Sequence, residues 1–367
     1  MRVLMISKAC LVGAYQTKLE AIAAHEDVAL SVMVPPVWRD PAGDIHLEKS
    51  HLEGYTLLVE PIRLNGRFHL YYFPTLKRQL AALQPDILHI DEEPYNFATW
   101  LAWRQARQMG CQTLFFSWQN LLNRYPWPFS TMERQVLQGV DHALVGNVAS
   151  GEVWRAKGYT GPLKVIPQFG VSPKLFQPPD GRTEERPLTI GCANRRLVPE
   201  KGVHLLLEAA AGLPGAWEMR IAGDGPEKER LAALAQALGI GEKVHFAGAI
   251  PSTRMVAFLQ QLDILVLPSL TTRRWKEQFG RVLIEAMACE RAVVGSDSGE
   301  IPHVIGDAGL IFPEGDVVGL RAHLGRLMAD MALRHQLGQA GRARVLKHYT
   351  QAQIAAQTVA VYREMLA

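Results

Sequence analysis

The feature that most constrains the fold is an alternation of short apolar runs with stretches of helical periodicity, which occurs twice along the chain. In the first half, the runs that predict strands are residues 3–7, 28–34, 87–90, 112–117, 142–146 and 164–166. Helices are predicted at 15–25, 76–83, 97–109, 149–157 and near Ser130, where Ser130 and Glu133 have capping-box spacing. Strands separated by helices of about 10–15 residues are typical of parallel sheets covered on both faces.

The same alternation restarts after residues 178–187, a polar stretch with three prolines that predicts a linker. Strands are then predicted at 188–192, 218–222, 244–247, 264–268, 292–296 and 309–312. Helices are predicted at 203–211, 227–238, 253–262, 281–289, 317–329, 333–347 and 351–366. We therefore expect an α/β protein with two doubly wound, Rossmann-like domains facing each other across a cleft, where ligands meet the carboxyl ends of the strands.

The expected domain borders are set by this pattern and by the length of 367 residues. An N-terminal acceptor-side domain spans 1–175, and a C-terminal donor domain spans 176–347. The last helix, in 348–367, is expected to pack back onto the N-terminal domain, which would make that domain discontinuous.

The composition excludes several classes of protein. With 48% hydrophobic residues, 20% charged residues and a net charge of +3, the chain is neither disordered nor basic enough for a nucleic-acid binder. Cys10, Cys111, Cys192 and Cys289 lack metal-ligand spacing and predict reduced, buried thiols. No apolar run reaches the roughly 18 residues of a membrane span, and Lys8 interrupts the apolar N-terminus. We expect a cytoplasmic protein, with peripheral contact at the inner face of the membrane as an open option.

The first segment with a chemical signature is Arg195-Arg-Leu-Val-Pro-Glu-Lys-Gly202, which joins a predicted strand to a predicted helix. Arg196 and Lys201 flank a turn, and the next helix presents N–H groups without intrahelical partners. Such an arrangement suits a diphosphate, because the helix start and both side chains attract negative charge. Solvated loop charges would have the same spacing, so spacing alone leaves both interpretations open.

A second segment, Glu277-Gln-Phe-Gly-Arg-Val-Leu-Ile-Glu285, carries two carboxylates around a predicted helix start. Gly280 permits close approach of a ligand to the backbone, and carboxylates accept hydrogen bonds from sugar hydroxyls. A solvated helix face would also explain two glutamates eight residues apart. Glu285, however, lies inside an apolar run, where an unpaired carboxylate is costly.

Together with the turn Gly223-Asp-Gly-Pro226, these segments resemble retaining glycosyltransferase family 4, which has the two-domain GT-B fold. The turn alone is weak, since glycines and Asp224 as a helix cap explain it. Glu277 and Glu285 match the family's glutamate pair, and Ser296-Asp-Ser-Gly-Glu-Ile-Pro with Gly309-Leu-Ile-Phe-Pro resembles its closing segment. The resemblance is dense over residues 188–345.

The first half resembles the family more loosely. Gly13 is similar to the glycine loop under the donor phosphates, although many members have a second glycine there. Many members also carry a histidine after the fourth strand, where this chain reads Phe116-Ser-Trp-Gln-Asn120. That histidine's role cannot be carried over. The acceptor-side candidates are Asp91, Glu92, Glu93, Trp118 and Gln119, for which helix capping or ion pairing is the alternative.

The resemblance implies transfer of a sugar from a nucleotide-sugar donor with retention of configuration, without a metal or other cofactor. It implies that Arg196 and Lys201 stabilise the leaving diphosphate and that Glu277 holds the donor sugar with the N–H groups of Phe279 and Gly280. Glu285 would bind the ribose hydroxyls. UDP- or GDP-linked donors and a glycan, lipid-linked or small-molecule acceptor are expected, as in polysaccharide biosynthesis. No catalytic base is assigned, since the family has no established covalent nucleophile.

Other functions remain open. A catalytically silent sugar-nucleotide-binding subunit would keep the same residues, and a sugar-nucleotide epimerase has the same fold. A dinucleotide-dependent oxidoreductase lacks support, because no G-x-G-x-x-G comes after the first strand.

The aromatic loop with Phe68, Tyr71, Tyr72 and Phe73 also has two interpretations. Together with Arg63, Arg67, Lys77 and Arg78, its rings could form an acceptor or membrane-facing surface. Packing inside the first domain explains most of these rings and is the favoured interpretation.

Overall fold

A computed structural model describes residues 1–40, 43–179 and 186–367. They fall into two compact units, Met1–Gly170 with Gln351–Ala367, and Val171–Thr350. Of the predicted linker, residues 180–185 lie outside the described residues. No helix in the described ranges is long and apolar enough to cross a membrane.

The strands and helices of the first half follow one another in close alternation. The strands are β1 (Arg2–Ile6), β2 (Ala29–Val34), β3 (Val37–Trp38), β4 (Ile45–His46), β5 (Thr56–Val59), β6 (Ile87–Ile90), β7 (Gln112–Ser117), β8 (His142–Val145) and β9 (Leu163–Val165). The helices are α1 (Gly13–Ala23), α2 (Leu76–Leu83), α3 (Phe97–Gln108), α4 (Phe129–Gly139) and α5 (Val148–Ala156).

The second half repeats the alternation and closes with helices. Its strands are β10 (Leu188–Arg196), β11 (Trp217–Asp224), β12 (Val244–Gly248), β13 (Ile264–Leu267), β14 (Ala292–Ser296) and β15 (Leu310–Phe312). Its helices are α6 (Val203–Ala210), α7 (Lys228–Ala237), α8 (Ser252–Gln260), α9 (Arg281–Ala288), α10 (Ile301–Ile305), α11 (Val317–Ala329) and α12 (Met331–His348), and α13 (Gln351–Leu366) ends the chain.

The first unit is built on a parallel sheet with strand order β5-β2-β1-β6-β7-β8-β9. Alternate residues of β1 enter two separate cores, Leu4 and Ile6 on one face and Val3 and Met5 on the other. Burial on both faces explains why the strands read as continuous apolar runs. Helix α13 packs against α1 and places Tyr362 in the core that contains Val3 and Met5.

The second unit has a parallel sheet with strand order β12-β11-β10-β13-β14-β15. In both sheets, successive strands are first added on one side of the first strand and then on its other side. This switch point lies between β1 and β6 in the first sheet and between β10 and β13 in the second. Such switch points leave a crevice at the carboxyl ends of the two strands, where ligands bind in open α/β sheets. Most candidate residues of each unit lie at or after the ends of these strands, whereas Trp118 and Gln119 come after β7.

Several local predictions were wrong. Strands β3, β4 and β5 and the short helix α10 were missed, because each is only two to five residues long. Helix α4 begins at Phe129 after Pro128, and Ser130 and Glu133 form no capping box. Asp224 ends β11 and does not cap α7, whose N-cap position is Glu227.

Candidate active site

The turn after β10 is held by backbone geometry that only glycine satisfies. Pro199–Lys201 form one turn of 3-10 helix, and Gly202 follows with φ of +63° at the N-cap position of α6. A Cβ atom on Gly202 would lie 1.9 Å from the carbonyl oxygen of Pro268, which follows β13. The Leu270 N–H also donates to the Glu200 carbonyl at 2.7 Å. These contacts fix the turn that carries Lys201 against the segment that leads to Glu277.

The two segments meet through side chains as well. Lys201 Nζ donates to Glu277 Oε2 at 2.8 Å, and the Ser269 hydroxyl donates to the same oxygen at 2.9 Å. Lys201 Nζ also lies 4.5 Å from the ring centroid of Trp275. An ammonium has three N–H donors, so this lysine can keep its carboxylate partner and still donate to an anion.

The backbone around Glu277 is supported by the segment that follows β14. The Glu300 N–H donates to the Glu277 carbonyl at 3.2 Å, and Gly299 adopts a φ of +54°. A Cβ atom on Gly299 would lie 2.0 Å from the Glu277 carbonyl oxygen, so a larger residue would push the two segments apart. The Ser-Gly-Glu sequence therefore positions Glu277.

Helix α9 begins as predicted around Gly280, which is its N-cap residue with φ of +73°. Phe279 is buried and packs edge to face against Tyr349, with ring centroids 5.7 Å apart. The ring thus anchors the backbone whose N–H groups were predicted to hold the donor sugar. Helix starts of this kind present N–H groups and a partial positive charge.

Glu285 lies one turn further along α9 and is paired inside the helix. Arg281 Nε donates to Glu285 Oε1 at 2.8 Å. Burial raises the pKa of Glu285, and the charge of Arg281 opposes that shift. The pairing explains how an otherwise apolar run accommodates a carboxylate. Glu285 is thus oriented by its own helix, whereas Glu277 is oriented by residues after β10 and β13.

Arg196 is the last residue of β10 and is exposed, where a loop position had been predicted. It lies opposite Asp224 in the register between β10 and β11, beyond an irregularity in the pairing. The extra strand length arises because the chain pairs again with β11 after Ala193. The predicted diphosphate cations are therefore separated, Arg196 on a strand end and Lys201 on the following turn.

In the first unit, Gly13 opens α1, and its N–H donates to Glu48 Oε2 at 2.6 Å. The Ser50 hydroxyl lies 2.5 Å from where a Cβ atom would stand. A donor phosphate at this N–H would need to displace the Glu48 carboxylate. The assignment of Gly13 stays a prediction.

The acidic triplet after β6 lies at the switch point of the first sheet and is engaged by its own unit. Asp91 Oδ2 accepts from the Ser7 hydroxyl at 2.5 Å, and Asp91 Oδ1 accepts from Gln168 Nε2 at 2.9 Å. Glu92 forms an ion pair with Lys8. Both acids are buried.

Glu93 connects the ends of β6 and β7. Its carboxylate accepts from the Ser117 hydroxyl at 2.5 Å and from the Trp118 N–H at 2.9 Å. Burial raises the pKa of Glu93 to about 7, against the lowering effect of these two hydrogen bonds. Gln119 is buried and accepts from the Tyr125 hydroxyl at 3.1 Å. The candidates Glu93, Trp118 and Gln119 thus form one network around the loop where many family members have histidine.

Residues 179–344 match the sequence model of the family described as glycosyl transferases group 1. This part of the chain is a glycosyltransferase group 1 domain. It contains the Lys201–Glu277 pair, Arg196 and Glu285, so the resemblance read from the motifs is confirmed.

Two relatives are similar to this chain over more residues than the family model covers. The chain is 32% identical over 262 residues to an MMP alpha-(1->4)-mannosyltransferase of Mycolicibacterium hassiacum, covering 68% of this chain and 60% of that protein. It is 32% identical over 204 residues to a GDP-mannose-dependent alpha-(1-6)-phosphatidylinositol monomannoside mannosyltransferase of Mycolicibacterium smegmatis, with 51% and 52% covered. The chain therefore spans between about half and three fifths of the length of these two relatives.

Solved structures show the fold over the whole chain. Sucrose-phosphate synthase from Thermosynechococcus elongatus has a TM-score of 0.74 at 20% identity, covering 100% of this chain and 99% of that one. Anabaena Alr3699/HepE in complex with UDP and glucose has a TM-score of 0.73 at 17% identity, with 99% and 100% covered. The predicted fold class, two parallel-sheet α/β domains of the GT-B type, is confirmed.

Motif reasoning missed two neighbours of the predicted pair in the group 1 domain. Ser269 and Trp275 contact Glu277 and Lys201 respectively. A serine just after a buried strand is the kind of signal that could have found Ser269, since strand ends face the crevice. Trp275 stands two residues before Glu277, but its stacking on Lys201 depends on contacts between distant segments.

Among the described residues, no group of three or more His, Cys, Asp or Glu side chains converges as metal ligands would.

Proposed function

We propose that this protein transfers a sugar from a nucleotide-sugar donor to a glycan or lipid-linked acceptor, with retention of the anomeric configuration. The observation that carries the proposal is the Lys201–Glu277 pair at the switch point of the group 1 domain. A cation beside a carboxylate at the carboxyl end of a parallel sheet offers one group for a phosphate and another for sugar hydroxyls.

Lys201 and Arg196 are the groups proposed to bind the diphosphate. Cleavage of the bond between the anomeric carbon and the phosphate oxygen leaves negative charge on the nucleotide, and fixed cations stabilise that charge as it develops. Ser269 donates to Glu277 and Trp275 contacts Lys201, so contacts within the protein fix the geometry of this pair. Little reorganisation is then needed when the donor enters, which is the condition under which electrostatic stabilisation is most effective.

Glu277 is proposed to accept hydrogen bonds from the donor sugar, together with the N–H groups of Phe279 and Gly280. The leaving phosphate oxygen takes the acceptor hydroxyl proton on the same face of the sugar, so no protein base is assigned. Glu285, oriented by Arg281, is proposed to accept from the ribose hydroxyls. No metal takes part in this scheme, and we expect EDTA to leave the rate unchanged.

Nucleotide binding tests the donor site directly. Calorimetric titration with UDP, GDP and ADP is expected to show binding of one nucleotide, weakened at least tenfold in Lys201→Ala. Lys347→Ala is the matched control, because Lys347 belongs to the same unit and is exposed in the last turn of α12. Equal weakening in both variants would contradict a specific role for Lys201.

Measuring turnover distinguishes an enzyme from a subunit that binds the nucleotide without catalysis. With the nucleotide identified, slow hydrolysis of the matching nucleotide-sugars without acceptor is measured by release of the nucleotide. Hydrolysis that Lys201→Ala reduces supports transfer. Tight nucleotide binding without hydrolysis, and without transfer to lipid-linked or glycan acceptors, would favour the silent subunit.

A further inference from the structure

One loop of the first unit exposes large apolar side chains to solvent. The loop joins β7 to α4, and in it Trp127 is 80% exposed and Leu122 is 59% exposed. Single exposed apolar residues are common on protein surfaces, but several in one region mark an interaction site. Tryptophan is notable here because it combines a large apolar ring with one N–H donor.

A second loop of the same unit also exposes large apolar side chains. Leu64 begins a turn closed by the Arg67 N–H, which donates to the Leu64 carbonyl at 3.0 Å. Leu64 is exposed and adopts a φ of +55°, a backbone conformation that is unfavourable for a branched side chain. Phe68 follows the turn and is also exposed. The fold therefore maintains a strained turn that presents leucine and phenylalanine to solvent.

The two loops share one support, the ring of His69. Its centroid lies 5.3 Å from Phe68, 5.9 Å from Tyr125 and 5.5 Å from Phe129. Trp127 stands between Tyr125 and Phe129 in the sequence. The two loops therefore pack against each other through His69. We call their exposed apolar residues the apolar tips: Leu64, Phe68, Leu122 and Trp127.

The two sequence segments that carry the apolar tips contain basic residues and no acidic ones. Residues 61–78 contain two arginines beside the turn, Arg63 and Arg67, then Lys77 and Arg78, and no acidic residue. Residues 118–132 contain Arg124 and no acidic residue. Arg63, Arg67 and Arg124 are exposed, and in the described part of the chain none of the three has an ion-pair partner.

We propose that the apolar tips and these three arginines form a docking surface for an anionic lipid bilayer. Tryptophan and other apolar side chains insert at the headgroup boundary, and arginines bind lipid phosphates. Loop tips that carry apolar groups between cations fit a bilayer better than a protein partner, because a bilayer presents phosphates above hydrocarbon at every point. The proposal does not rest on the proposed reaction, since none of these residues belongs to the donor site.

Vesicle sedimentation tests the surface. We expect the protein to bind vesicles made of equal parts of phosphatidylcholine and phosphatidylglycerol, and to bind pure phosphatidylcholine at least tenfold more weakly. Replacing both exposed loop residues, in Leu122→Ser with Trp127→Ser, is expected to reduce binding at least tenfold. Arg63→Gln and Arg67→Gln are each expected to reduce it about fivefold, as loss of one surface charge does, and added salt is expected to weaken binding.

Val318→Ser is the matched control, because Val318 is 72% exposed on α11 of the other unit. It should leave vesicle binding unchanged. All substitutions are at exposed positions, and thermal unfolding checks that each variant is folded. No binding to either vesicle, equal binding to both, or an equal loss in Val318→Ser would overturn the proposal. Self-association that Trp127→Ser abolishes, without vesicle binding, would overturn it in favour of a second copy of the chain.

Discussion

The switch points of the two sheets carry charged residues in matching places but use them differently. In the first unit, Asp91 and Glu92 come after β6 and are buried against a hydroxyl, an amide and the ammonium of Lys8. In the second unit, Glu277 pairs with Lys201, whose side chain remains 20% exposed, and Arg196 is exposed. The Lys8 and Lys201 side chains are similarly exposed, at 18% and 20%. The units differ in their remaining charges, since the first has acids at the end of β6 whereas the second has the exposed cation Arg196 at the end of β10.

The difference arises from the residues that come directly after the first strand of each sheet. After β1 the chain reads Ser7-Lys8, which supplies a donor and a cation directly to the acids after β6. After β10, which ends in Arg195 and Arg196, the chain enters a tight turn that brings Lys201 to a carboxylate. The same strand order around the switch point therefore does not determine which partners a charged residue at a strand end has.

The largest expected effect is on turnover, in the second unit. Glu277→Gln should reduce sugar transfer or donor hydrolysis about 10²–10³-fold, because a preorganised charged group at the reacting sugar is lost. The free energy of unfolding should change little, since the amide can still accept from Ser269 or Lys201. Initial rates and urea unfolding measure the two quantities.

The control for this variant is Glu242→Gln, an exposed glutamate of the same unit. It should retain the full rate. Near-normal turnover in Glu277→Gln would remove the site assignment and with it the comparison between the two switch points.

The reverse pattern is expected for Asp91→Ala in the first unit. Removing this carboxylate leaves Ser7 and Gln168 without their acceptor, at a cost of about 2–3 kcal/mol in the free energy of unfolding. Burial already lowers the pKa of Lys18, and the charge of Asp91 opposes that shift, so the loss of Asp91 also destabilises the charged form of this lysine. Urea unfolding should show the loss, while calorimetry shows unchanged nucleotide affinity. A large loss of affinity in a stable variant would mean that Asp91 acts on ligand.

Glu93 makes the stability of the first unit depend on pH. Its pKa is about 7 in the folded state, above the ordinary value of 4.5, so the folded state binds the proton more tightly. Stability from this group is therefore present at low pH and falls as the pH rises from about 4.5 to 7. Because Glu93 is only partly buried, we expect a change of about 1–2 kcal/mol.

The measurement is the difference in unfolding free energy between Glu93→Gln and the unmodified protein at pH 5, 6, 7 and 8. Glutamine cannot ionise, so this difference should move in favour of the variant as the pH rises. A difference that stays constant across the series would show that Glu93 titrates near its ordinary value.

Whether the sequence predicts a structural feature depends on how far apart in the chain the contacting residues lie. Strands such as β7 and β14 match their predicted bounds because continuous apolar runs report burial on both faces. Strand β5 was missed, since its residues are half-buried or exposed at the edge of the sheet.

In the candidate site too, the sequence did not predict contacts between distant segments. Motif order identified Lys201 and Glu277, but the stacking of Trp275 on Lys201 and the support of Glu277 by Gly299 join segments far apart in the chain. Nor did spacing indicate that Glu93 binds Ser117 and Trp118, because that contact depends on the parallel register of β6 and β7. Short-range patterns thus locate charged residues, whereas the fold decides which of them remain available.

The smallest expected effect distinguishes Glu285 from Glu277 within the second unit. If Glu285 binds ribose hydroxyls, Glu285→Gln should weaken binding of the nucleoside diphosphate about fivefold, because a neutral amide oxygen accepts a weaker hydrogen bond than a carboxylate does. Binding of inorganic pyrophosphate, which has no ribose, should not change. Calorimetry with both ligands gives the comparison, and Lys201→Ala provides the opposite case because it should weaken both. Equal weakening of the two ligands by Glu285→Gln would mean that Glu285 acts only through Arg281 and the start of α9, as Asp91 acts through the fold of the first unit.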